Sequence, residues 1–119
     1  MKFGLLITEG PYQHETSDSA YQFAKAALAK GHEILRVFFY SDGVLNSTKL
    51  MDPQADDRHI GKQWTELATS NNIDVIVCVA AAKRRGINDE VIAEGFKIGG
   101  LGMLTELAIE ADRLVEFSA

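Results

Sequence analysis

The chain contains one cysteine, Cys78, and that scarcity excludes several kinds of chemistry. One thiol makes no internal disulfide, no CxxC redox pair and no cysteine-based zinc site. Whatever Cys78 does with sulfur, its partner sulfur belongs to another molecule. Histidines are also few: His14, His32 and His59 show neither HxxxH nor HExxH spacing, so the pattern predicts no metal centre. Two prolines and ten glycines leave little room for long linkers. No apolar run approaches the roughly 18 residues of a membrane span. The start, MKFGLLITEG, lacks the layout of a signal peptide, and the expected location is cytoplasmic. Basic charge is scarce as well: net charge is −5, and only Lys83, Arg84 and Arg85 cluster, which argues against direct nucleic-acid binding.

What is present reads as one globular α/β domain over residues 1–119, with 46% hydrophobic and 24% charged residues. Apolar or β-branched runs predict strands at Lys2–Thr8, His32–Tyr40, Ile73–Ala80, Phe96–Gly100 and Asp112–Phe117. Between them, helical spacing is carried by Ala20, Phe23, Ala24, Ala27 and Leu28, with Ser17 or Asp18 as cap and Gly31 as stop. A second helix over Asp57–Asn72 buries Ile60, Trp64, Leu67 and Ala68. A third over Leu101–Ala111 turns Leu101, Leu104, Leu107 and Ala108 inward. Asn88–Gly95 has room for one or two helical turns, and Ser41–Asp57 reads as a polar loop. Strand and helix alternate, so the predicted fold is flavodoxin-like: three layers, α/β/α, around a mostly parallel five-stranded sheet.

In such sheets chemistry gathers beyond the carboxyl ends of strands, at the switch in strand order. Three segments qualify: Glu9–His14, Phe39–Gly43 and Cys78–Arg85. Cys78 has two readings. Free cysteine is among the most buried residue types and behaves as a small hydrophobe. Against that, a helix start or a basic neighbour raises the thiolate fraction of a thiol, and here small residues and then Lys83, Arg84 and Arg85 follow. Thr8–His14 is a weak candidate anion loop; Tyr12 can line its mouth and His14 can act as a base near a thiol. Gly99–Met103 lacks the GxGxxG spacing, with Thr105 in the third position, and reads as a tight strand-to-helix turn.

Four segments together, ITEGPYQHETSDSAYQFAKAAL, KGHEILRVFFYSDGV, CVAAAKRRG and GGLGMLTELAIEADRLVEF, resemble the DsrE/TusD-like sulfurtransferases. The first forty residues are nearest to the DsrE branch. The resemblance implies a persulfide carried on Cys78; sequence position, not the resemblance, offers Arg84, Arg85, Tyr12 and His14 as thiolate-stabilising or partner-binding residues. It implies a heterohexamer, a dimer of heterotrimers with DsrF- and DsrH-like subunits or their TusC- and TusB-like counterparts. The implied acceptor is a DsrC-like protein in dissimilatory sulfur oxidation, or a TusE-like one in the relay for tRNA 2-thiouridine. An upstream persulfide donor completes the implied set, and no metal or organic cofactor is implied. A non-catalytic binding or scaffold subunit is the remaining alternative. One departure stands out: relatives carry about a dozen more residues between Gly86 and the strand at Phe96, a length difference that an ordered domain tolerates.

Overall fold

The computed structural model describes residues 1–119. The chain runs β1 (Lys2–Ile7), α1 (Thr16–Ala29), β2 (Glu33–Phe39), a 3₁₀ segment (Ser41–Ser47), α2 (Ile60–Asn71), β3 (Asp74–Cys78), α3 (Val79–Arg84), β4 (Phe96–Gly99), α4 (Leu101–Glu110) and β5 (Arg113–Phe117). All five strands are parallel, in the order β4-β3-β2-β1-β5. The three-layer parallel architecture is as expected. The order differs from the 2-1-3-4-5 of flavodoxin. It places the switch point between β1 and β5, two strands away from β3.

Parallel strands need cover on both faces, which is why their sequences are almost continuously apolar. One face carries Leu5, Ile7, Val37, Phe39, Val75, Val77 and Phe96, and α1 and α2 close over it. Trp64 of α2 sits edge-on to Phe39, and Phe23 of α1 edge-on to Phe3. The α2 stripe of Ile60, Trp64, Leu67 and Ala68 is buried as the spacing predicts. In α1 Ala20, Ala24 and Ala27 are buried while Phe23 and Leu28 are partly so. The other face carries Gly4, Arg36, Phe38, Ile76 and Cys78, and α4 lies across it.

Several expectations fail in informative ways. The cap of α1 is Glu15; Ser17 lies inside the helix, buried, with its hydroxyl tied to Asn46. Asn88–Gly95 forms no helix, because the Asn88 side chain accepts from the amides of Glu90 and Val91 and holds a turn. Of the residues expected inward on α4, only Leu107 is buried, against Gly4, while Leu101 is 49% exposed. The third strand stops at Cys78. Val79–Arg84 coils into α3, a run of alanines and long basic residues with strong helix propensity. The polar loop after β2 starts as a 3₁₀ turn at Ser41–Ser47.

That turn is held by a buried polar network. Asn46 Nδ2 donates to the carbonyls of Glu9, at 3.0 Å, and Gly43, at 2.8 Å. Its Oδ1 accepts from Ser17 Oγ at 2.7 Å, and Ser17 Oγ accepts from Trp64 Nε1 at 3.2 Å. One side chain thereby fixes the segments after β1 and β2 to α1 and α2. Gly43 is needed for the close approach, since a Cβ there would collide with the Ile7 carbonyl.

Candidate functional site

Cys78 closes β3 and is the residue from which α3 departs, with extended backbone at φ −63° and ψ 126°. Its side chain makes no capping hydrogen bond, although the first amides of any helix lack intrahelical partners. Cys78 pairs in register with Gly99 of β4. It is 2% exposed, so the packing reading of a buried small hydrophobe describes its ground state. The next two residues, Val79 and Ala80, are exposed, so the sulfur lies one residue below the surface of the sheet's carboxyl edge.

The basic cluster does not surround the thiol. Arg84 is six residues along α3, about 9 Å at 1.5 Å per residue, and is exposed. Arg85 folds back instead: Nε donates to Asp42 Oδ1 at 2.9 Å and Nη1 to the Ala81 carbonyl at 3.1 Å. Its charge is paired, and it clamps α3 onto the turn after β2. A sequence reading takes Arg84 and Arg85 together because they are adjacent; in the fold Arg84 stays exposed while Arg85 pairs with Asp42.

Tyr12 and His14 stand over β1, about 10 Å from β3 at the usual strand spacing. The Tyr12 hydroxyl donates to the Arg58 carbonyl at 2.7 Å and accepts from the Ile60 amide at 3.2 Å, so it secures the entry to α2. It also borders a hollow of about 570 Å³ with Leu45, Leu50 and Met51. His14 is 57% exposed and lies 3.5 Å from Glu9 Oε2. No contact joins either residue to Cys78. The switch point between β1 and β5 is filled by the chain's own last residues: Thr8 Oγ1 donates to Ser118 Oγ, and the Ala119 amide donates to Glu9 Oε1. No three His, Cys, Asp or Glu side chains gather as a metal-binding group.

The segment after Gly86 packs against the residues that follow β2. Ile87 is buried, and Val91 and Ala93 exchange backbone hydrogen bonds with Lys49 and Ser47 at 2.7 Å each. This stretch therefore lies along the 3₁₀ turn. Sequence reasoning also missed Gly99 as the neighbour of Cys78 and Met103 as the side chain packed over Gly99. The register of β3 and β4 makes the first pairing, and no local pattern carries it.

Beneath α4, Arg36 is 17% exposed and bridges Glu106 and Asp74 at 3.3 and 3.4 Å while donating to the Met103 carbonyl at 2.7 Å. Lys97 completes the cluster, 3.1 Å from Asp74. The Lys97 hydrogen bond is the main reason the Asp74 carboxyl titrates below its ordinary value, with Arg36 adding to it against the opposing effect of burial.

Comparison with known proteins gives the chain its family. Residues 1–117 match the DsrE/DsrF-like family. A DsrE sulfurtransferase of Allochromatium vinosum is 62% identical, with 98% of each chain covered. The sulfurtransferase TusD of Serratia proteamaculans is 43% identical over 98% of this chain and 99% of its own. Both alignments run over 128 positions, so these relatives carry extra residues opposite which this chain has none. In fold, the chain is similar to the YchN protein of E. coli, with a TM-score of 0.85 at 24% identity over 98% of this chain and all of the other. A Methanobacterium thermoautotrophicum protein of unknown function gives 0.75 at 17% identity, with 97% of each covered. No helix is long and apolar enough to cross a membrane. From its first strand to its last, this chain belongs to the DsrE/DsrF-like family and stands beside that family's sulfurtransferases.

Proposed function

We propose that the chain carries sulfane sulfur as a persulfide on Cys78 and passes it to a cysteine of an acceptor protein. The observation that carries this reading is the position of the chain's one thiol. It ends the third strand at the carboxyl edge of a parallel sheet, in a chain 62% identical to a sulfurtransferase.

The chemistry is exchange at a sulfur–sulfur bond. The Cys78 thiolate attacks the outer sulfur of a donor persulfide. The bond between the donor's two sulfurs breaks, and the donor leaves as a thiolate. An acceptor thiolate then attacks the outer sulfur on Cys78, and Cys78 leaves as a thiolate in turn. No net oxidation occurs in either step, and both run best when the attacking thiol titrates near ambient pH. A single cysteine suits the carrier role, since a second thiol nearby would attack the persulfide's inner sulfur and expel hydrosulfide. Arg85 keeps α3 seated against Asp42. Arg84, exposed at the far end of α3, together with Tyr12 and His14 over β1, offers polar contacts to a visiting protein.

The acceptor we propose is a DsrC-like protein in dissimilatory sulfur oxidation, in the cytoplasm, with DsrF- and DsrH-like subunits completing a heterohexamer. Identity supports this branch: 62% to the DsrE relative against 43% to the TusD of Serratia. A second reading, a scaffold subunit whose homologue performs the chemistry, draws on the burial of Cys78. The two are separated by incubating the protein with polysulfide, removing excess reagent and recording the intact mass. The carrier reading expects wild type to gain the mass of one sulfur atom and the Cys78→Ser variant to gain none. An equal mass gain in the two proteins, or no gain in either, refutes it.

A further inference from the structure

Cys78 is buried, yet a carrier must bind a second sulfur atom about 2 Å beyond its own, at ordinary sulfur–sulfur bond length. Something adjacent must yield for that atom to fit. Neighbouring residues in a parallel register project to the same face of the sheet, so the space beside Cys78 is the space over Gly99. That space is taken. A Cβ placed on Gly99 would collide with Met103 Sδ and would lie 3.0 Å from Ile76 Cγ2. The missing side chain of Gly99 is what lets the Met103 thioether lie over Gly99, at the register position next to Cys78.

We propose that Met103 is the gate of the Cys78 site: its side chain seals the sulfur in the resting protein and swings aside to admit a persulfide. This rests on the carrier reading above.

Four observations support a moving side chain at this point. Methionine is unbranched, with three rotatable bonds, and adapts its shape more readily than any branched residue of similar size. The Met103 carbonyl is held by Arg36 at 2.7 Å, so the helix stays in place while the side chain turns. Flanking positions leave room, because a Cβ at Gly100 or Gly102 would meet nothing within 4 Å. Ile76, the other residue over Gly99, is β-branched, sits mid-strand and is fully buried, so it is the fixed wall.

The test reads the rate at which iodoacetamide alkylates Cys78 in the folded protein; with one cysteine in the chain, every count comes from that sulfur. Met103→Ala is expected to accelerate alkylation by about tenfold or more, the scale of a local opening made easier. Met103→Leu, of similar volume but branched, is expected to alkylate no faster than wild type. Gly99→Ala drives the thioether off its seat and is expected to accelerate alkylation too, which keeps the test available should Met103→Ala fold poorly. Leu107→Ala removes the buried anchor of α4 near Gly4 and controls for general loosening. The gate is refuted if Met103→Ala alkylates at the wild-type rate, or if its acceleration is no greater than that of Leu107→Ala at equal stability in urea. Polysulfide loading of wild type is scored separately. A gate without loading retires the carrier reading and keeps Met103 as the cover; loading with no effect of Met103→Ala or Gly99→Ala does the reverse.

Discussion

Asn46 is the side chain on which the carboxyl edge of the sheet most depends, and its replacement has a magnitude and a sign. It is fully buried and makes three hydrogen bonds, to the carbonyls of Glu9 and Gly43 and from Ser17. Asn46→Ala removes all three and strands two carbonyls and a hydroxyl. At roughly 1 kcal/mol net for each bond, with a further cost for buried groups left unpaired, the loss is about 3–5 kcal/mol. That is a large part of the 5–15 kcal/mol typical of a domain. Asn46→Asp preserves the shape and makes a sharper test. The introduced carboxyl still accepts from Ser17, but its other oxygen faces two carbonyl oxygens. It can sit there only as the protonated acid, donating one hydrogen bond. Its folded-state pKa is therefore raised above the unfolded value near 3.9. Above that pH the unfolded chain releases a proton that the folded chain keeps. Stability relative to wild type must then fall as pH rises, by up to about 1.4 kcal/mol per pH unit, until the folded-state pKa is passed. Urea unfolding followed by the fluorescence of Trp64, the chain's only tryptophan and a member of the network, measures this at about pH 4.5 and about pH 7.5. Equal destabilisation by Asn46→Asp at both values, or a cost below about 1 kcal/mol for Asn46→Ala, refutes the reasoning.

Other outcomes follow from single contacts. Gly43→Ala sets a Cβ against the Ile7 backbone carbonyl, which cannot yield; it is expected to cost more than about 3 kcal/mol or to prevent folding, read in the same urea titration. Gly102→Ala, inside α4 with open space around it, is expected to raise the urea midpoint, by about 0.5–1 kcal/mol in stability. Asp74 titrates below its ordinary value, so its contribution is present above the unfolded-state pKa and is lost as pH falls through the lower folded one. Asp74→Asn should therefore flatten the acid limb of the stability–pH curve below about pH 4 and leave its shape at neutral pH unchanged. Arg85→Ala breaks a half-exposed pair with Asp42; its cost is expected to stay near 1 kcal/mol, with α3 amides exchanging faster with solvent than those of α2.

The strands could be read from the sequence because parallel strands buried on both faces are written as unbroken apolar runs, as in LLI, VFF and VIV. The α2 stripe could be read because Trp64 and Leu67 recur at helical period. Failures came where tertiary contacts overrode local pattern. Asn46 and Ser47 look like solvated loop residues and are fully buried, because Asn46 binds Ser17 and Glu9, 29 and 37 residues away, and draws the whole turn inward. Leu101 and Ala108 follow the helical period yet remain outside, since α4 meets the sheet through Leu107, Met103 and the Arg36 cluster. Of the site, the position of Cys78 at a strand end was visible. The pairing of Arg85 with Asp42, which leaves Arg84 alone exposed, was not, and neither was the switch point's placement at β1 and β5, because strand order is a property of the assembled sheet.

The most direct measurement follows sulfur leaving as well as arriving. Protein loaded on Cys78 with isotopically labelled sulfur, freed of donor, is mixed with a DsrC-like acceptor and both masses are recorded over time. The account predicts that label lost from Cys78 appears one atom for one on the acceptor cysteine. Label that stays on this chain, or that reaches the acceptor equally from the Cys78→Ser variant, contradicts it.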